Sequence, residues 1–198
     1  MSLSKRVAFT CKHSSVLGGA SDQGLTMRTY GLLGTVELKA GRLTEGRAWY
    51  EKSRELADRR NDQFGLGNSS QNIGIVCQSE GEAARERGDE PAAIWHFEEA
   101  CRYVGESLLI WQAQKSKSRE SASLSQLARI HLNLGDFQTA ERYAQEALEI
   151  REHLGSREAC MDYGTLAEIA QAHGDLTAAA AWAKKRDDFL AELKRRPG

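Results

Sequence analysis

The stretch "SLSQLARIHLNLGDFQTAERYAQEALEI", residues 123–150, decides the fold. Leu124, Leu127, Ile130 and Leu134 follow the i, i+3, i+4 spacing of a helix with one buried face. Gly135-Asp136 then breaks the pattern. Glycine stops a helix because it tolerates positive φ, and aspartate starts the next by accepting a free backbone N–H. Tyr143, Ala144, Ala147, Leu148 and Ile150 resume the spacing beyond it. The stretch predicts two amphipathic helices folded back on one another.

The same unit recurs along the chain. "FEEACRYVGESLLI" (97–110) and "FQTAERYAQEALEI" (137–150) agree at seven of fourteen positions, forty residues apart. "LLGTVELKAG" (32–41), "NIGIVCQSEG" (72–81), "QLARIHLNLG" (126–135) and "TLAEIAQAHG" (165–174) share a closing glycine. Seven residues before that glycine each has a small residue: Gly34, Gly74, Ala128 and Ala167. The second halves carry another, at Gly46, Ala100, Ala140 and Ala179. Two bulky side chains cannot share one close helix crossing, so this pattern predicts tightly packed hairpins. Gly174-Asp175 repeats the Gly-Asp turn, whereas Gly41-Arg42 is weaker because arginine does not cap a helix start.

These residues resemble the tetratricopeptide repeat family. They show its small residue, its Gly-Asp turn with an aromatic or leucine after it, and then Ala-x-x-(aromatic)-x-x-x-Ala-Leu. The resemblance covers about residues 25 to 195, and the ~40-residue unit is similar to the longer repeats of kinesin-light-chain-like and bacterial regulatory proteins. Arg186 departs from the pattern by standing where Ala147 does, and the closing proline is absent. The resemblance implies an all-α, right-handed solenoid, or superhelix, of four antiparallel helix hairpins. They lie at about 25–60, 68–115, 120–153 and 157–195 within a repeat domain of 25–198, after an N-terminal segment of 1–24.

The second hairpin is expected to be longer than the others. From turn glycine to aromatic is two residues in the third unit (Gly135 to Phe137) and sixteen in the second (Gly81 to Phe97). Helix formers continue to Gly88, and Asp89 with Pro91 begins a new helix. Helices over 71–87 and 91–115 are predicted, overshooting their neighbours by ~10 Å at 1.5 Å per residue. The added alanines, Ala83, Ala84, Ala92 and Ala93, can pack against each other. Ile94 and Trp95 lie beyond any neighbouring repeat and can anchor a partner.

Composition narrows the function. Of 198 residues, 27 are basic and 28 acidic, a net charge of −1, which argues against a dedicated nucleic-acid binder. With 28% charged and 40% hydrophobic residues the chain suits a folded soluble protein. No apolar run approaches the ~20 residues of a membrane span, and the first residues lack a signal peptide's apolar stretch. The four cysteines, Cys11, Cys77, Cys101 and Cys160, show no C-x-x-C spacing, so a reduced, cytoplasmic setting is expected.

No H-E-x-x-H, G-x-S-x-G or P-loop pattern occurs. "LGGASDQG" (17–24) has no lysine for a phosphate and reads as a loop into the first helix. His131 falls on an inward helix position and reads as a packing residue. Cys11 and His13, or Cys77, are what a Cys/His enzyme would have to use. The expected protein is not an enzyme and needs no cofactor or metal. A sensor segment of a larger bacterial signalling or NTPase protein is the main alternative, and RNA binding a weaker one.

In the tetratricopeptide family the first helix of each hairpin lines a concave groove for a peptide or partner helix. Transferred by position, the groove holds Arg28, Thr35 and Lys39, then Gln71, Ile75 and Gln78. Ser125, Arg129, Leu132 and Asn133 follow, and then Met161, Glu168 and Gln171. The partner implied is a protein or peptide. Trp49 and Trp182 align with Tyr103 and Tyr143, where aromatics pack between hairpins. Phe189, Leu190 and Leu193 have no following helix to cover them, so that end continues into a longer array or pairs with a second copy.

Overall fold

The computed structural model describes residues 20–195. Among them are eight α-helices and no strand. In chain order they are α1 Ala20–Lys39, α2 Leu43–Arg59, α3 Gln63–Glu86, α4 Glu90–Ala113, α5 Lys117–Leu134, α6 Phe137–His153, α7 Ala159–Ala172 and α8 Leu176–Arg195. Successive pairs form four hairpins. The chain divides into two compact units between Ile110 and Trp111. The first holds α1 to α3 and most of α4, the second the end of α4 and α5 to α8.

Two element starts differ from the sequence reading. Residues 20–24 are the opening of α1 rather than loop, while Cys11, His13 and the rest of 1–19 lie outside the described residues. The second hairpin starts at Gln63, ahead of residue 68, because Asp62 caps it by accepting a hydrogen bond from the Gly65 N–H at 2.9 Å. Gly65 looks like a breaker in the sequence but serves close packing: a Cβ there would stand 2.9 Å from that of Ala57.

The turns are built alike. Gly88 and Gly135 take φ of +79° and +77°, a region that strains residues with a Cβ, and so reverse the chain. Asp89, Asp136 and Asp175 cap the next helix from the position after the glycine, their Oδ1 atoms accepting from N–H groups at 3.2, 3.2 and 2.9 Å. Arg42 provides no cap, as expected from its side chain.

Small residues then set the helix separation. A Cβ on Gly34 would lie 2.6 Å from the Tyr50 ring, and one on Gly74 would lie 2.4 Å from Val104 Cγ2. Ala100, Ala128 and Ala140 are fully buried. Ala167 and Ala179 of the last hairpin are only half-buried. Arg186, which replaces a buried alanine there, is accommodated opposite Gly164, whose missing Cβ would lie 3.9 Å from Arg186 Cδ.

The core of the first unit centres on Tyr50, Ile73, Val76, Phe97 and Val104, and that of the second on Leu124, Ile130, Leu166 and Ile169. Burying each such side chain contributes about 1.5–3 kcal/mol. Of the aligned aromatics, Trp49 stacks on Tyr30 of its own hairpin at 5.5 Å, whereas Trp182 tilts over Tyr163 at 6.2 Å and also packs on the core shared with the third hairpin. All four also carry a cation from their own helix, namely Lys52, Arg102, Arg142 and Lys185 over Trp49, Tyr103, Tyr143 and Trp182 at 4.0–4.3 Å.

Candidate interaction site

The second hairpin is the longest. α3 and α4 have 24 residues each, against 17 in α2 and α6, a difference of about two helical turns. At the Asp62 end it is flush with α2, where Gly65 meets Ala57. At the other end Arg47, in the second turn of α2, bonds Glu80, and α3 runs on to Glu86. The added length therefore lies at the Gly88 tip.

The tip is rigid by construction. Ala84 and Ala93 are fully buried and a Cβ on Gly81 would meet the Phe97 ring at 2.8 Å, so its helices touch closely. Arg85 clamps the turn through two hydrogen bonds to Glu90, at 2.7 and 3.1 Å, and lies 4.9 Å over Phe97. That hydrogen bonding holds the Glu90 carboxyl below its ordinary range. Ile94 and Trp95 remain 40% and 54% exposed, with Trp95 edge-on to His96. Two large apolar side chains on a clamped tip form a ready contact surface.

The first-helix residues divide into exposed and engaged ones. Arg28 and Lys39 in the first unit and Arg129, Glu168 and Gln171 in the second are exposed. Ile75 and Met161, each thirteen residues before a turn glycine, are exposed apolar residues among them. Others are tied into the structure. Thr35 shares a 3.0 Å hydrogen bond with Tyr50, and Gln71 accepts one from Ser107 at 3.0 Å. Gln78 donates to Glu82 at 2.9 Å, and Ser125 donates to Asp162 at 2.5 Å. Leu132 and Asn133 are half-buried, Leu132 against the core of the second unit.

Beneath these surfaces lie charge arrangements that the sequence reading did not single out. In the first unit Arg47 donates to both oxygens of Glu99, at 2.7 and 2.9 Å, and Arg54 donates to Glu106 at 2.6 Å. Ser70 joins the second rung through a 3.2 Å bond to Glu106, and Cys77 the first at 3.5 Å from Glu99. Each pair of like members is seven residues apart, a spacing of opposite charges that could have been matched in the sequence. Burial pushes Glu99 up, but the bonds and charge of Arg47 outweigh it and hold the carboxyl below its usual range. Burial also drives the Cys77 thiol up to about 12, which leaves it protonated and unreactive at neutral pH. In the second unit Arg151 pairs with Asp162 out of solvent. His131 packs on Tyr143 and contacts Asp136 Oδ2 at 3.2 Å, in keeping with a packing role.

Residues 96–153, from the tip of α4 to the end of α6, match the tetratricopeptide repeat model. Over that span the chain is similar to the tetratricopeptide repeat family. No curated protein matches it in sequence. The structure is similar to BtubC (BKLC) from P. vanneervenii, with a TM-score of 0.78 and 17% identity over 97% of this chain and 73% of that one. It is also similar to a putative kinesin light chain from Podosopora anserina with nearly identical TPR-like repeats, with a TM-score of 0.71 and 15% identity over 98% and 88% of the two chains. At these identities the likeness is one of fold, and it makes the chain a tetratricopeptide-like helical repeat. Tetratricopeptide repeats generally mediate protein–protein interaction. No helix among the described residues is long and apolar enough to cross a membrane, and no cluster of three or more His, Cys, Asp or Glu there could hold a metal ion.

Proposed function

We propose that the protein is a non-catalytic interaction module that binds a peptide or partner helix on its first-helix faces and offers the tip of the long hairpin as a further contact. The observation that carries this is the exposure of Ile94 and Trp95 on a tip whose own packing is complete without them. Exposed Arg28, Lys39 and Ile75 in the first unit, and Arg129 and Met161 in the second, give each unit the mixed polar and apolar face that a polar peptide needs. Balanced charge favours a protein over a nucleic-acid partner. The thiol of Cys77, buried and protonated, supports a role without chemistry. α8 has no buried residue and leaves Leu190 37% exposed, so its open side can seat a second copy.

The test is affinity capture and light scattering on wild type, on Trp95→Ala with Ile94→Ser, and on Arg129→Glu with Lys39→Glu. Loss of a partner in the first variant assigns it to the tip, and loss in the second assigns it to the helix faces. A full set of partners and an unchanged oligomeric state in both variants would overturn the reading.

A further inference from the structure

Within the second unit, α6, α7 and α8 enclose a pocket of about 330 Å³ that shares no residue with the first-helix faces. Phe137 and Trp182 form its aromatic walls, and the His173 ring lies 5.7 Å from that of Phe137. Leu166 and Ile169 line it too, and only 1% and 3% of their surfaces are exposed, so they form its apolar floor. Glu141 and Asp175 line it as well and are both exposed, whereas no lysine or arginine does. Each carboxylate has one oxygen engaged locally, Glu141 by Gln145 at 3.0 Å and Asp175 by the Ala178 N–H at 2.9 Å.

We infer that this pocket receives a cationic side chain, a lysine ammonium or an arginine guanidinium, from the bound partner. The inference rests on the interaction-module reading and adds a subsite to it. Three properties converge on a cation with an alkyl stem. An apolar floor accepts methylene groups while the charged end stays near the mouth. Aromatic faces attract cations through their quadrupole. Two carboxylates at the rim complement the charge and disfavour anions. The molecule already uses one of these rings in this way: Lys185 Nζ lies 4.1 Å over Trp182, which also lines a neighbouring pocket containing Lys185. A volume of 330 Å³ lies at the small end of ligand pockets, which begin at about 300 Å³, and suits a single side chain.

The test uses the full chain labelled with ¹⁵N, reading the four tryptophan indole N–H resonances, with that of Trp182 assigned through Trp182→Phe. N-acetyl-arginine amide and N-acetyl-lysine amide are titrated against the neutral isostere N-acetyl-citrulline amide. The Trp182 resonance alone should move saturably with at least one cation, and citrulline should bind at least about tenfold more weakly. Glu141→Gln, with an unchanged urea midpoint, should weaken the cation about threefold to tenfold. No movement, or equal movement with citrulline, overturns the inference. A basic dodecapeptide should bind more tightly than n-butylammonium; equal binding would make this a free-amine site and overturn the partner assignment. A failed titration beside a partner lost on changing Trp95 removes the subsite and keeps the interaction module.

Discussion

Arg151 donates to both carboxylate oxygens of Asp162, at 2.9 and 2.8 Å, where the two side chains are only 5% and 1% exposed. Ser125 adds a third hydrogen bond to the same carboxylate, reaching from α5 to α7. Burial nevertheless pushes the Asp162 carboxyl above its ordinary range, against the pull of Ser125 and Arg151.

Removing one partner of this pair should be far worse than removing both. Arg151→Met leaves a buried carboxylate uncompensated and should cost about 3–5 kcal/mol at neutral pH, while Arg151→Met with Asp162→Leu should recover most of it. The folded pKa of Asp162 lies above its unfolded value of about 3.9, so the ionised group's cost is absent in acid and grows as pH rises through the folded value. Urea unfolding of both variants at pH 4 and pH 7 checks the order and the sign. A single variant as stable as the double one at pH 7 would refute it.

Glu99 should behave in the opposite sense. Its folded pKa lies below the unfolded value of about 4.3, so its contribution is present above that pH and is lost as pH falls through the depressed one. Glu99→Gln should lower stability by about 1.5–3 kcal/mol at pH 7. The gap to wild type should narrow steadily below about pH 4.3, and a gap that stays constant down to pH 3 would show that Glu99 is not the titrating group.

Close approach at Gly74 should be unforgiving. A Cβ there would lie 2.4 Å from Val104 Cγ2, so Gly74→Ala should destabilise by about 1–3 kcal/mol. Adding Val104→Ala frees the space and should return part of the loss, whereas strictly additive effects in a double-mutant cycle would mean that the two residues do not meet.

Cys77 should resist iodoacetamide in the folded protein at pH 8 and react fully in urea. It is completely buried, and its thiol, pushed up to about 12, holds almost no thiolate at that pH. Mass spectrometry of the labelled peptide reads this directly. Rapid native labelling would reopen a chemical role for the residue.

The repeat architecture was legible because period, turn and small-residue signals all act locally: Gly135-Asp136 stops one helix and starts another whatever else the chain does. The hairpin tip was legible for the same reason, from Gly88, Asp89 and Pro91. Contacts that depend on three helices meeting were not. Asp162 looks like an ordinary exposed acid beside Tyr163 until Arg151 and Ser125 converge on it from α6 and α5. Gly65 reads as a helix breaker because its reason for being glycine, Ala57, sits on another helix. The pocket residues Phe137, Leu166 and Trp182 come from three helices, and no spacing in the chain links them.

The rungs Arg47–Glu99 and Arg54–Glu106, with Cys77 and Ser70 between them, repeat at seven residues, and so do the contacts Gly81–Phe97 and Gly74–Val104. Seven residues return a helix close to its starting angle, since they make almost two whole turns. A hairpin interlocked at that interval can change length only in steps that preserve phase. An insertion of two residues between Ser70 and Cys77 in α3 alone would turn these two about 200° out of phase, so that both could not face their glutamates at once. Lengthening both helices by seven extends the tip while every bonded layer below it keeps its partners. The long hairpin is therefore a quantised extension of the fold, and shortening it cleanly requires deleting whole turns from both helices at once.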